Sequence, residues 1–250
     1  MLDIWQEVEG SKFIKPLMVT VHRVTEDQHL IATMGLVHDI YEQQLLEEML
    51  DATKPNKVKS SEKLHYLLFT PFRYPPLEYG SRFGSRLLPS LFYSSLNIAT
   101  ALAEAAYYRF VFMTGMSTPF PEALQVTYSS YTISIRTQKG VLLDKEPFAA
   151  YNEIIASPND YKATQLLGAQ MREVAVEAFQ YQSARDKQKG KNIAIYTPTV
   201  FQSRSPLTTM RWICNVTDEE VGFVSNDNNE FHIFKKIQFE SLGVFPGPAV

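Results

Sequence analysis

An α+β fold, with a mixed β core and flanking helices, is what this sequence predicts, and three observations carry it. Strand-like segments come in runs, above all in the C-terminal third, and do not alternate regularly with helices. Separate stretches repeat apolar residues at helical spacing over lengths that can pack against a sheet. The 250 residues are 45% hydrophobic, enough for one domain of ordinary size with a substantial core.

The elements follow in order. From about Gln28 to Leu50 the residues Leu30, Met34, Val37, Ile40, Tyr41, Leu45 and Met49 recur at helical spacing. Asp51 to Lys63 is polar and holds Pro55, which reads as a surface connection. Residues 1–60 are therefore expected as an N-terminal helical extension ahead of a main domain over 61–250. The apolar run Leu64 to Phe72 predicts a strand ended by a proline-rich turn, and Leu91 to Ser95 a second short strand. Ser95 or Asn97 can cap a helix over Ile98 to Met113. After a loop from Thr114 to Pro121, strands are expected at Thr132–Arg136 and Val141–Asp144. Leu166, Leu167, Met171 and Val174 predict a helix over Asn159–Val176. Four strands close the chain, at Asn192–Pro198, Arg211–Val216, Glu220–Ser225 and His232–Phe239. Asn226 to Asn229 supplies a hairpin turn between the last two.

Composition narrows the function. A net charge of −3 argues against direct nucleic-acid binding by broad phosphate neutralisation, while leaving room for a local basic pocket. No run approaches the ~18 apolar residues of a membrane span, and the acidic N-terminus lacks the pattern of a signal peptide. A cytoplasmic protein without membrane association is expected. Cys214 is the single cysteine, which excludes an intramolecular disulfide and reads as a small buried hydrophobe. The five histidines form no HExxH, one cysteine cannot make a zinc knuckle, and no metal site is expected. A phosphate loop, a G-x-S-x-G elbow and a dinucleotide-binding G-x-G-x-x-G are likewise missing from the sequence.

What remains is the stretch from Arg73 to Glu104, RYPPLEYGSRFGSRLLPSLFYSSLNIATALAE. It sets Arg73, Tyr74, Arg82, Arg86, Tyr93 and Glu104 close together among turn-forming residues. Two arginines can grip a diphosphate with forked hydrogen bonds while staying charged. Tyrosines can stack on a planar base and hydrogen-bond at the hydroxyl. A carboxylate facing such a pocket can stabilise positive charge developing on a sugar. The run Arg185, Lys187, Lys189, Lys191 reads as a solvated loop.

The stretch resembles the RES-domain family through Arg-Tyr, Gly-Ser-Arg-Phe, Phe-Tyr-Ser-Ser and Thr-Ala-Leu-Ala-Glu. By this resemblance Arg73 and Arg82 fit the family arginines, with Arg86 as the rival of Arg82. Tyr93 fits the strand tyrosine eleven residues before the helix glutamate, Glu104, and Ser183 fits the family serine. The resemblance implies an ADP-ribosyltransferase-like fold and a toxin that degrades NAD⁺ by hydrolysis or phosphorolysis. It also implies a helix-turn-helix antitoxin as partner and leaves a homodimer open. NAD⁺ is then substrate, inorganic phosphate an alternative co-substrate to water, and no resident cofactor is needed. Glu104, Arg73 and Ser183 become the catalytic set, and Arg82, Tyr74 and Tyr93 the substrate-binding set.

Two other functions stay open at this point. ADP-ribose could be transferred to a protein, although Leu102 stands where transferases acting on arginine often carry a second acidic residue. The chain could also be a non-catalytic binder of a nucleotide or partner that keeps the fold.

Overall fold

One long strand organises the sheet. The computed structural model describes residues 2–27, 37–53, 55, 63–118, 123–225, 227–241 and 243–247. In chain order its elements are α1 (Ile4–Glu7), β1 (Lys15–Glu26), α2 (Ile40–Thr53), α3 (Tyr66–Arg73), β2 (Phe92–Ser95), α4 (Ile98–Thr114), β3 (Leu124–Leu142), α5 (Asn152–Ile155), α6 (Lys162–Glu173), β4 (Ala178–Gln182), β5 (Lys191–Ile195), β6 (Thr208–Val216), β7 (Glu220–Ser225) and β8 (Glu230–Lys235). The strand order is β1-β2-β5-β4-β3-β6-β7-β8, with β1 also paired to β3. That extra pairing closes β1, β2, β5, β4 and β3 into a ring, from which β6, β7 and β8 run on as an antiparallel meander. The α+β class is as the sequence predicts.

The strands alternate as half-buried strands should. Phe92, Ile193, Ile195 and Ala178 face the inside of the ring, where Val21, Tyr131, Ile133 and Ile135 meet them. The intervening residues Ala194, Tyr196, Phe179 and Tyr181 face a second core with Phe83, Leu167 and Met171. A third core lies between α4 and the meander, built on Leu102, Phe110, Trp212 and Phe223. Cys214 is buried in this third core, where desolvation pushes its thiol up to about 12.

Several sequence expectations are corrected. Within the expected helical extension, Lys15–Glu26 is strand β1, paired with β3 from Leu17↔Thr137 to Glu26↔Tyr128. Residues 15–26 are therefore a strand of the sheet rather than a helix. The helix expected from Gln28 lies outside the described residues up to position 36, and α2 begins at Ile40. Thr132–Arg136 and Val141–Asp144 belong largely to one strand, β3. Strand β4 was not foreseen.

The apolar run from Leu64 to Phe72 is a helix, α3, although it contains Pro71. Leu68, Phe69 and Phe72 bury one side of it, a helical spacing. Proline lacks the amide that would bond the carbonyl four residues back. Here that carbonyl, on Leu67, instead accepts the Tyr131 hydroxyl from β3 at 2.7 Å. The tertiary hydrogen bond replaces the missing helical one. Tyr131→Phe is expected to destabilise the protein by about 1–3 kcal/mol, the usual cost of a buried acceptor left unpaired. A urea midpoint equal to that of the wild type would refute the substitution of one bond for the other.

Candidate active site

The first turns of α4 carry the carboxylate on which the site is built. Asn97 caps the helix by accepting the Thr100 amide at 2.8 Å. Ala101, Glu104, Ala105 and Tyr108 then fall on one face at helical spacing and line a cavity of about 270 Å³. Alanines on either side of Glu104 leave room in front of its carboxylate. The opposite side of the helix, with Leu102, Ala106 and Phe110, is buried in the third core.

Two neutral donors hold Glu104. Its Oε1 accepts the Ser183 hydroxyl at 2.6 Å and the Asn192 side-chain amide at 2.6 Å. Asn192 is itself oriented by Ser95, whose hydroxyl donates to its Oδ1 at 2.7 Å. Ser183 Oγ in turn accepts the backbone amides of Arg185 and Asp186, each at 3.1 Å. The turn after β4 is pinned to α4 by Thr100, which donates to Asp186 at 2.7 Å. Gly190 approaches so closely that an added Cβ would sit 1.9 Å from Thr100 Oγ1. Among the described residues Glu104 makes no ion pair, so its charge is left to face the cavity.

The other walls are cationic and aromatic. Arg23, Arg82 and Arg185 line the cavity, and among the described residues none of the three pairs with a carboxylate. Arg82 donates to the carbonyls of Ile155 (3.0 Å) and Ser157 (2.7 Å) and lies over the Tyr161 ring at 4.5 Å. Arg185 donates to the Pro158 carbonyl and the Tyr161 hydroxyl, and its guanidinium lies 3.4 Å from the centre of the Tyr107 ring. Its Nη1 is buried with no hydrogen-bond partner. Arg23 reaches in from β1, donating to the Tyr93 carbonyl and covering Phe92 at 4.7 Å. Carbonyl dipoles and ring faces hold these guanidinium groups without neutralising them.

Tyr93 on β2 fixes the turn that bears Arg82. Its hydroxyl meets Ser81 Oγ at 2.8 Å and accepts the Phe83 amide at 3.2 Å. Burial raises its pKa, against the pull of those hydrogen bonds and of Arg82. Burial likewise takes Tyr181 well above the ordinary tyrosine value and Tyr107 to about 12. These tyrosines are neutral phenols at neutral pH. Helix α6 backs the same turn, as Gln165 donates to the carbonyls of Tyr79 and Ser81, and Gly168 lets the Phe83 backbone approach.

The sequence-selected residues divide accordingly. Glu104, Arg82 and Tyr93 line the cavity, and Ser183, although nearly eighty residues further on, is bonded to Glu104. Ser183 is buried, with its hydroxyl turned toward the carboxylate. Arg82 lines the cavity and Arg86 does not: Arg86 is exposed and lies 3.7 Å from Glu78. Arg73 and Tyr74 do not reach the cavity. Arg73 ends α3 and donates to the Pro55 carbonyl, while Tyr74 is exposed and its carbonyl accepts the Ser90 hydroxyl. Arg185, expected in a solvated loop, is buried. Arg23, Arg185, Tyr161 and Asn192 were missed. The alternation Leu17, Val19, Val21 ahead of Arg23 was the available signal for a strand ending in a charged side chain. Among the described residues no cluster of three or more His, Cys, Asp or Glu could hold a metal, and no helix is long and apolar enough to cross a membrane.

The sequence matches the RES domain over residues 57–215, more than half of the chain. The chain belongs to the RES-domain family. That match includes Arg82, Tyr93, Glu104, Ser183 and Asn192, and leaves β1 with Arg23 outside it. No curated protein matches the chain. Among solved structures it is similar to a chain in the crystal structure of the M.tuberculosis MbcT-MbcA toxin-antitoxin complex, with 12% identity over 86% of this chain and 92% of that one and a TM-score of 0.47.

His22 also lines the RES-domain cavity, and burial lowers its pKa from 6.5 against the opposing pull of Glu230. The unfolded chain then binds more protons than the folded one between the lowered value and 6.5, so stability falls as pH drops through that window. His22→Gln is expected to flatten the pH dependence of the melting temperature below pH 6.5. An unchanged slope in that variant would show that other groups carry it.

Proposed function

We propose that this RES-domain protein degrades NAD⁺ by breaking the bond between nicotinamide and ribose, and that this makes it a toxin to the cell that holds it. The observation that supports the reading best is the Glu104 carboxylate, held at one oxygen by Ser183 and Asn192 and facing a cavity lined by three unneutralised arginines. An anionic ligand with one electron-poor sugar carbon suits that distribution of charge.

The chemistry asks little acid catalysis. When the C1′–N bond breaks, its electron pair passes to the pyridinium nitrogen, and nicotinamide leaves neutral. Positive charge develops on the ribose, where a fixed carboxylate stabilises it. Glu104 fills this role and receives the ribose hydroxyls at its second oxygen. Water adding at C1′ releases one proton and gives ADP-ribose; phosphate adding through its own oxygen gives the 1-phosphate of ADP-ribose. Arg23, Arg82 and Arg185 bind the diphosphate. Tyr93 walls the nicotinamide–ribose, and Ser183 keeps Glu104 aimed. Arg73 and Tyr74 have no part in this reading. No resident cofactor is required. The RES reading also brings a cytoplasmic location and a helix-turn-helix antitoxin that restrains the activity.

Purified protein incubated with NAD⁺, with and without phosphate, is expected to release nicotinamide. Glu104→Gln should lose about 10²–10³-fold in rate, as removal of a preorganised electrostatic group commonly does. Ser183→Ala should lose less, because Asn192 still holds the carboxylate. The sugar product, identified by mass spectrometry, assigns the acceptor as water, phosphate or a protein side chain. Wild-type protein that releases no nicotinamide, or Glu104→Gln at the wild-type rate, would overturn the proposal.

A further inference from the structure

Arg23 borders two cavities at once. The first is the one that Glu104 faces. The second, of about 440 Å³, is lined by Arg23, Glu26, Asp27, Tyr66, Thr70 and Arg211, with Leu67 and Pro71 beside them. The chain makes this possible where β1 and β2 separate. Their one register pair is His22↔Ser95, and the side chain of the next residue, Arg23, lies across the opening beyond it.

Arg23 is a half-buried cation held by a carbonyl, by the Phe92 ring and by the Tyr131 hydroxyl, with no anionic partner among the described residues. One Nη donates to the Tyr93 carbonyl, its Nε is buried without a partner, and among the described residues it makes no ion pair. Glu26, the acidic group nearest in sequence, is bonded to Arg109 instead. A charge so placed is stabilised by an anion that arrives with the ligand. NAD⁺ carries its anionic diphosphate in the middle, between two nucleosides. Two cavities that share one arginine match that arrangement.

We propose that the second cavity seats the adenosine half of the dinucleotide, with the diphosphate lying across Arg23. The assignment rests on the NAD⁺ reading above, which gives the nicotinamide half to the cavity of Glu104. Tyr66, Leu67, Thr70 and Pro71 fall on one side of α3 and give this cavity an aromatic and apolar wall. The Tyr66 ring is exposed, with His65 against it at 4.6 Å between centroids, so an adenine can stack on its open face.

The test compares ligands that need one cavity with ligands that need both. AMP binding is measured by calorimetry, and nicotinamide release is measured from NAD⁺ and from nicotinamide mononucleotide, which lacks the adenosine. Tyr66→Ala removes the stacking face, and Thr70→Arg fills the cavity from the rim of α3. Both variants are expected to weaken AMP binding and raise KM for NAD⁺ by about tenfold, the scale of one lost base–aromatic stack. Cleavage of the mononucleotide should change less than about twofold. AMP binding that is absent from the wild type, or unchanged in both variants, overturns the second-cavity assignment and leaves the cleavage reading intact. Wild-type protein that binds AMP, loses it in both variants and yet cleaves neither substrate upholds the cavity assignment and removes the cleavage reading alone.

Discussion

The arrangement of two neutral donors on one oxygen of Glu104 is the constraint on which the rest of the site depends. A carboxylate held by an arginine would be neutralised and turned away from any ligand. Held by a serine hydroxyl and an asparagine amide, it is oriented by groups that carry no charge of their own. That choice dictates much of the surrounding chain. Ser183 can present its proton to Glu104 because its lone pairs are occupied by the amides of the following turn. The turn keeps that shape because Asp186 is tied to Thr100, and the return strand passes Thr100 only because residue 190 is glycine. Asn192 is the second residue of that strand, so one connection between β4 and β5 delivers both donors.

The arginines follow the same logic with opposite sign. Arg82 and Arg185 spend donors on carbonyls at 155, 157 and 158, and both use Tyr161, one its ring and the other its hydroxyl. Carbonyls and ring faces compensate part of the desolvation of a guanidinium while leaving its net charge in place. The outcome is a local positive field in a chain whose formal charge is −3. Low-dielectric walls concentrate such a field on a small anion. Overall charge and the charge of the arginine wall thus differ in sign.

How far the sequence discloses the site depends on how local its parts are. Glu104 and Tyr93 are legible because a strand and a capped helix follow one another directly, and their spacing fixes both side chains. Ser183 is legible only through family resemblance, since nothing near it shows that its turn folds onto α4. Arg73 and Arg82 look alike as text. What separates them is that Tyr93 and Gln165 bind the turn at 81–83 into the wall, whereas Arg73 closes a helix whose buried side points elsewhere. Arg23 was within reach, since apolar alternation marks its strand. The helix over Tyr66–Arg73 was not, because the hydrogen bond that lets it tolerate Pro71 comes from Tyr131, some sixty residues away.

Strand β1 joins stability to chemistry. Its backbone completes the ring through β3, its Val21 fills the core within that ring, and its Glu26 ties α4 through Arg109. Its single pairing to β2 at His22↔Ser95 is what leaves an opening beside Arg23. A longer ladder between these strands would bury more backbone and strengthen the sheet, yet it would narrow the space beside Arg23, which lines both cavities. The short ladder leaves Arg23 at the border of both cavities, the placement on which the proposed seating of the diphosphate rests.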